Sequence, residues 1–287
     1  MLEQIINRTR EQAPRIHNIT NYVSANDCAN ITLACGAYPI MAEEYAEVEE
    51  ITSASAALVI NTGILTKAKL AAMLAAGKCA NELENPVVLD PVGVAASRFR
   101  IDAILKLLKE IKIQVIRGNG SEIKRLYEIY CTSLNEDDSK TGENPPKGVD
   151  ASDLDIITEE QLDSGITIAK ELSRYTGAII VMTGVIDIIT DGFRVKLIRN
   201  GSSMLRLVSG SGCMLSSVIG AYCGANRQAC FEACVTAVGA IGLCGEAAYE
   251  KILRRQEGNA SFRSYLIDYI SQLDGDKLIQ GIKLEDI

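Results

Sequence analysis

The stretch Val208-Ser-Gly-Ser-Gly-Cys-Met-Leu-Ser-Ser217 sets a glycine-rich turn directly before an apolar run of helical length. Successive main-chain N–H groups at a helix N-terminus form a ready anion site. Gly210 and Gly212 let the backbone approach such an anion with no side chain in the way. Cys213 falls in the first turn, where the helix dipole favours a thiolate. A cysteine on an Ala-rich helix is also a common inert packing residue, so both readings stand. A second arrangement is Arg117-Gly-Asn-Gly-Ser-Glu122, in which Asn119 can cap a following helix and Glu122 occupies the place of a capping-box acid. The alternative for Glu122 is Mg²⁺, an ion that takes oxygen ligands and keeps most of its water.

Such groups need a scaffold, and four Val- and Ile-rich runs supply one: residues 56–63, 86–93, 113–118 and 178–184, each ending in polar or glycine residues. They read as buried parallel strands. Amphipathic stretches over 66–80, 98–109 and 159–174 alternate with them, which is the pattern of a layered α/β fold. In an open parallel sheet, ligands collect beyond the carboxyl ends of the strands. That edge gathers Asn61, Thr62, Asp90, Arg117, Asn119 and Thr183, a set able to hold a metal nucleotide. Any one of them, taken singly, could merely cap a turn.

Around this frame, Asp191-Gly192 joins two strand-like runs between Ile186 and Ile198, predicting an antiparallel hairpin at the sheet edge. Residues from Cys213 to Glu250 are rich in Ala, Gly, Cys and Ile and predict two closely packed, buried helices. The polar, Pro-terminated interval 131–152 predicts a long surface loop, and the acidic run 43–50 the solvated start of a helix. His17, the sole histidine, and Asn18 are read as loop hydrogen-bonders with no catalytic role, since nothing near them forms a triad.

The 287 residues fit one large α/β domain, 1–287. With 37 acids against 29 bases, the net charge of −8 is the wrong sign for neutralising nucleic-acid backbones. No apolar run approaches the roughly 20 residues of a membrane span, and the N-terminus lacks a signal-peptide pattern. Nine cysteines without C-x-x-C spacing imply mostly buried thiols in a reduced compartment, so the expected location is cytoplasmic.

Seven segments in order, HNITNYV from His17, GAYPIMA from Gly36, LDPVG from Leu89, VIRGNGSEI from Val115, KGVD from Lys147, VMTG from Val181 and SGSGCMLSS from Ser209, resemble hydroxyethylthiazole kinases of the ribokinase-like superfamily. The resemblance spans nearly the whole chain. It implies a three-layer sandwich with a mostly parallel central sheet, an antiparallel edge hairpin and helices on both faces. It also implies transfer of the γ-phosphoryl of MgATP to a thiazole alcohol. By this resemblance Met41 and Gly210 would contact the thiazole with Asn21 nearby, while Arg117 and Thr183 would bind ATP. Asp90 and Glu122 would hold Mg²⁺, the turn Gly210-Ser211-Gly212 would be the anion hole, and Cys213, standing where most related sugar kinases carry Asp, would accept the alcohol proton or help place the hydroxyl. The family's trimer, with active sites between subunits, would bring Met41 and Asn21 from a neighbour of the chain that supplies Cys213. Departures are a longer 131–146 interval and Ser209 and Ser211 where Thr is commoner. Rival readings are a kinase for hydroxymethylpyrimidine or a sugar, a nucleotide-dependent dehydratase repairing hydrated NAD(P)H, and a nucleotide or thiazole sensor without turnover.

Overall fold

The computed structural model describes residues 1–135 and 159–287. The chain opens with α1 (Leu2–Gln12), β1 (Arg15–Ile19), α2 (Ala25–Ala34), β2 (Tyr38–Met41) and α3 (Val48–Ser53). Then strand and helix alternate: β3 (Ala57–Asn61), α4 (Lys67–Glu82), β4 (Val87–Asp90), α5 (Arg98–Glu110), β5 (Val115–Asn119), α6 (Gly120–Asn135), α7 (Leu162–Thr176) and β6 (Ile179–Thr183). A hairpin of β7 (Asp187–Thr190) and β8 (Val195–Ile198) follows, then α8 (Ser211–Ala225), α9 (Cys230–Arg255), α10 (Asn259–Gln272), α11 (Gly275–Gly281) and β9 (Leu284–Asp286). Among the described residues the strands form one sheet in the order β2-β1-β3-β4-β5-β6-β7-β8-β9. It is parallel from β2 to β6 and antiparallel from β6 onward.

The four predicted strands form because each is apolar on both faces, as a sheet covered on both sides requires. Their side chains divide by strict alternation. Ala57 and Val59 of β3 enter a core with α1, α2 and α8 to α11, while Leu58 and Ile60 enter the opposite core with α4 to α7. Thr66 and Ser97 cap α4 and α5 through their side chains, which fixes where those helices begin. Helix α8 lies very close to the sheet. A Cβ at Gly220 would stand 2.4 Å from Val59 Cγ2, so only the missing side chain allows this seating.

Several expectations change. His17 and Asn18 belong to β1, inside the sheet, and are buried. The antiparallel hairpin forms on the edge side of the sheet as expected, and β9 extends that side by one more antiparallel strand. Residues 131–135 continue α6, and the rest of the expected 131–152 loop, with the KGVD segment, lies outside the described residues. The acidic run becomes helical only at Val48. Helix α9 is long and apolar enough by length and composition to cross a membrane, contrary to the expectation that no such run exists. Its apolar window is 78% buried inside the protein.

Candidate functional site

The carboxyl ends of β3, β4 and β5 meet the start of α8, and β6 joins them through Arg117. Asn61 and Asp90 are direct partners in the parallel register, and Asn119 faces Thr183 one strand pair further on. Asp90 is fully buried. Its Oδ2 accepts from Asn61 Nδ2 at 3.0 Å and from Ser216 Oγ at 2.8 Å, with Arg117 Nη1 at 3.8 Å. Its Oδ1 has no partner among the described residues. Burial pushes the Asp90 carboxyl up to about 6, against the pull of Arg117.

Arg117 is likewise buried and donates from Nη2 to Thr183 Oγ1 at 2.7 Å, while its Nε is unpaired among the described residues. It lies against the start of α8, where a Cβ at Gly212 would come within 2.3 Å of Arg117 Nη1. Gly210, the residue before α8, has φ +85°, in the left-handed region that favours glycine. The N–H groups of Gly212 and Cys213 have no hydrogen-bond acceptor among the described residues, as the first turn of a helix leaves them. Ser211 differs. Its N–H points to Val208 O at 3.3 Å and its Oγ donates to Leu205 O at 2.7 Å, so neither group faces the turn's open side.

Cys213 Sγ lies 3.2 Å from Asn61 Nδ2 and 3.6 Å from Asn21 Nδ2 of the same chain. This corrects the expectation that Asn21 serves a neighbour's Cys213. The turn between β1 and α2 folds back over the chain's own α8, and Lys69 holds it there by donating to Thr20 O at 2.7 Å while pairing with Glu43 at 2.6 Å. A second correction concerns the thiol. Burial and the neighbouring Asp90 raise the Cys213 pKa, so the helix dipole does not produce a thiolate. Met41 ends the edge strand β2, two strands from β3, and is 38% exposed.

Glu122 forms the capping box. Its Oε2 accepts from Asn119 N at 3.0 Å, and Asn119 Oδ1 accepts from Glu122 N at 2.8 Å. Its Oε1 also accepts from Gly93 N at 3.1 Å, tying α6 to the loop after β4. Each oxygen keeps lone-pair capacity for a further donor or hydrated ion. No group of three or more His, Cys, Asp or Glu able to cage a metal occurs among the described residues. The orphaned Asp90 Oδ1 beside Glu122 fits instead an ion that uses one or two carboxylates and completes its shell with water and phosphate.

Sequence reasoning gave no role to three neighbours. Ser216 sits one helical turn after Gly212 and reads as small-residue packing. Arg100 donates to the carbonyls of Thr62, Gly63 and Val92, joining the loops after β3 and β4. Asp187 accepts from Gly184 N at 2.9 Å, and burial pushes it up to about 7. Only their final placement distinguishes them from ordinary polar residues.

A family model described as the hydroxyethylthiazole kinase family matches residues 6–276. A hydroxyethylthiazole kinase of Clostridium acetobutylicum is 47% identical over 285 residues, covering 99% of each chain. Among solved structures, a hydroxyethylthiazole kinase protein from Pyrococcus horikoshii superposes with TM-score 0.84 at 29% identity, covering 100% of this chain and 98% of that one. A ribokinase-like superfamily protein from Enterococcus faecalis, 12% identical, shares the fold with TM-score 0.59 over 94% of each chain.

Proposed function

The chain belongs to the hydroxyethylthiazole kinase family, and from that premise we propose that it uses ATP to phosphorylate the hydroxyl of 5-(2-hydroxyethyl)-4-methylthiazole in thiamine metabolism. The observation that carries the reading is the convergence of Asp90, Arg117 and the free N–H groups of Gly212 and Cys213 around the Cys213 sulfur. Phosphoryl transfer asks chiefly for positioning and charge stabilisation. Arg117 would meet the nucleotide phosphates, held in place by Thr183. The N–H groups of Gly212 and Cys213 would meet charge developing on the transferred group. Asp90 and Glu122 would hold Mg²⁺, which when bound neutralises phosphate charge. Cys213, kept a thiol by burial and Asp90, would orient the alcohol rather than deprotonate it. That suits a loose transition state in which the alcohol keeps its proton until late.

The same reading makes the chain one soluble, cytoplasmic domain over 1–287 that works as a trimer. Met41 is 38% exposed, and Tyr22, Val23, Tyr38 and Tyr45, close to it in the sequence, are exposed apolar residues that a neighbouring copy would cover. Met41 would then reach the thiazole of the adjacent copy, while Asn21 serves its own chain. Mixing Met41→Ala chains with Glu122→Gln chains should therefore restore activity, whereas Asn21→Ala with Glu122→Gln should not. The direct test of the reaction is ADP formation by the purified chain with and without the thiazole alcohol, beside hydroxymethylpyrimidine and ribose. ADP release that ignores the thiazole alcohol, or prefers another acceptor, defeats the proposal.

A further inference from the structure

Asn61 is 1% exposed, ends β3, and has every hydrogen-bonding position engaged. Its Oδ1 accepts from Asn21 Nδ2 at 3.0 Å and from Gly63 N at 2.9 Å. Two donors converging on one atom fix the amide orientation, because a flipped amide would set N–H against N–H. Nδ2 must then face the other way, where it meets two acceptors, Asp90 Oδ2 at 3.0 Å and Cys213 Sγ at 3.2 Å. An amide nitrogen has two hydrogens to give, and both are used.

The consequence for Asp90 is specific. Asn61 and Ser216 both donate to Oδ2, so the rotation of the carboxylate is settled and Oδ1 alone is left without a partner. The consequence for Cys213 is that its sulfur acts as an acceptor toward Asn61, so the thiol proton does not point at Asn61 Nδ2. The register pairing of Asn61 with Asp90 adds a main-chain constraint to the side-chain bond.

We infer that Asn61 is a positioning residue that ties the alcohol side of the site to its metal side, holding Cys213 Sγ and Asp90 Oδ2 on one amide. The inference rests on the phosphoryl-transfer reading above, but half of its test needs no nucleotide or metal. Asn61→Asp keeps the side-chain shape and the acceptor for Asn21 and Gly63, and replaces both donated hydrogens with an oxygen. Asn61→Ala removes the donor without adding charge. For each variant, kcat and both KM values are measured, and the alkylation of Cys213 by iodoacetamide is followed against pH in metal-free protein by peptide mass spectrometry, with Cys79 as the internal control.

The expected result is a kcat lower by ~10²-fold, as for a lost preorganised donor, with KM for ATP and the alcohol within threefold. The midpoint of Cys213 alkylation should rise by about one pH unit, since a donor to the thiolate is lost. Turnover within threefold of wild type in both variants overturns the inference. So does reduced turnover with an unmoved Cys213 midpoint, because Asn61 would then act only on folding. Should Asn61→Asp not fold, Asn61→Ala gives the same two readings. If the wild-type chain turned over some other alcohol, the phosphorylation reading would fail while the alkylation result would still decide whether Asn61 holds the sulfur.

Discussion

Two arginines at opposite ends of the same sheet are treated differently. Arg194, in the β7–β8 hairpin, pairs with Asp191 and Glu232, each at 2.8 Å, and lies over the Phe231 ring with its guanidinium carbon 4.0 Å from the centroid. It is half exposed, so its charge is screened and fully partnered at little cost. Arg117 is buried, stands 3.8 Å from its acid, and its Nε, like Asp90 Oδ1, has no partner among the described residues. An incompletely paired buried ion pair costs stability and is retained where something else completes it. The hairpin end is closed on itself, and the β4–β6 end leaves buried polar atoms without partners among the described residues, as the proposed ligand site requires.

That contrast breaks most visibly at Asp90. Asp90→Asn should lower turnover by ~10³-fold, the upper range for one preorganised electrostatic group, with no loss in thermal melting. An active Asp90→Asn enzyme would make the pair structural, like that of Arg194. Gly212→Ala sharpens the same point, because its methyl group would displace Arg117 Nη1 from 2.3 Å away. A fall of ~10²-fold in kcat/KM for ATP is expected, read by steady-state kinetics on protein whose circular dichroism is unchanged.

A pH test probes a buried group that is fully paired. His17 Nε2 donates to Ala42 O at 3.0 Å, and in the neutral ring that burial favours Nδ1 accepts from Thr52 Oγ1 at 2.8 Å. Burial lowers its pKa below the ordinary 6.5. Above that value the folded and unfolded chains both carry a neutral ring, and His17 contributes nothing to pH dependence. Below it the unfolded chain gains a proton that the folded chain refuses, so stability falls as pH drops, by up to about 1.4 kcal/mol per pH unit. Asp90 and Asp187, raised by burial, contribute the opposite slope to both proteins, so urea melts from pH 7 to 5 should isolate His17 as the difference, His17→Gln losing less stability than wild type, or gaining more, as pH falls. The smallest effect is expected at the closed end. Arg194→Met should cost about 1 kcal/mol of stability, seen in the same melts, and leave kcat unchanged.

The strands that carry Asp90, Arg117 and Thr183 were legible because both their faces are apolar, which leaves few alternatives to a buried parallel sheet. Strand β1 was not, since His17 and Asn18 interrupt the apolar pattern. They are buried because partners remote in sequence satisfy them, Thr52 and Ala42 for His17 and Ser217 for Asn18. The glycine turn before α8 and the Glu122 capping box followed from local spacing alone. The state of the Cys213 thiol did not, because desolvation and the charge of Asp90 depend on how elements pack. The expectation that Asn21 serves another chain fails for a related reason, as the β1–α2 turn is held by Lys69, a residue remote in sequence.

Helix α8 meets the sheet at Gly220 with no side chain between its backbone and Val59. So close a seating leaves the helix little room to slide or tilt, and its first turn inherits that rigidity. The N–H groups of Gly212 and Cys213 are therefore fixed in direction, and the proposed anion would meet them with little conformational entropy left to lose. Amides in the middle of α8 should be among the slowest to exchange with deuterium, opening only when the molecule unfolds as a whole.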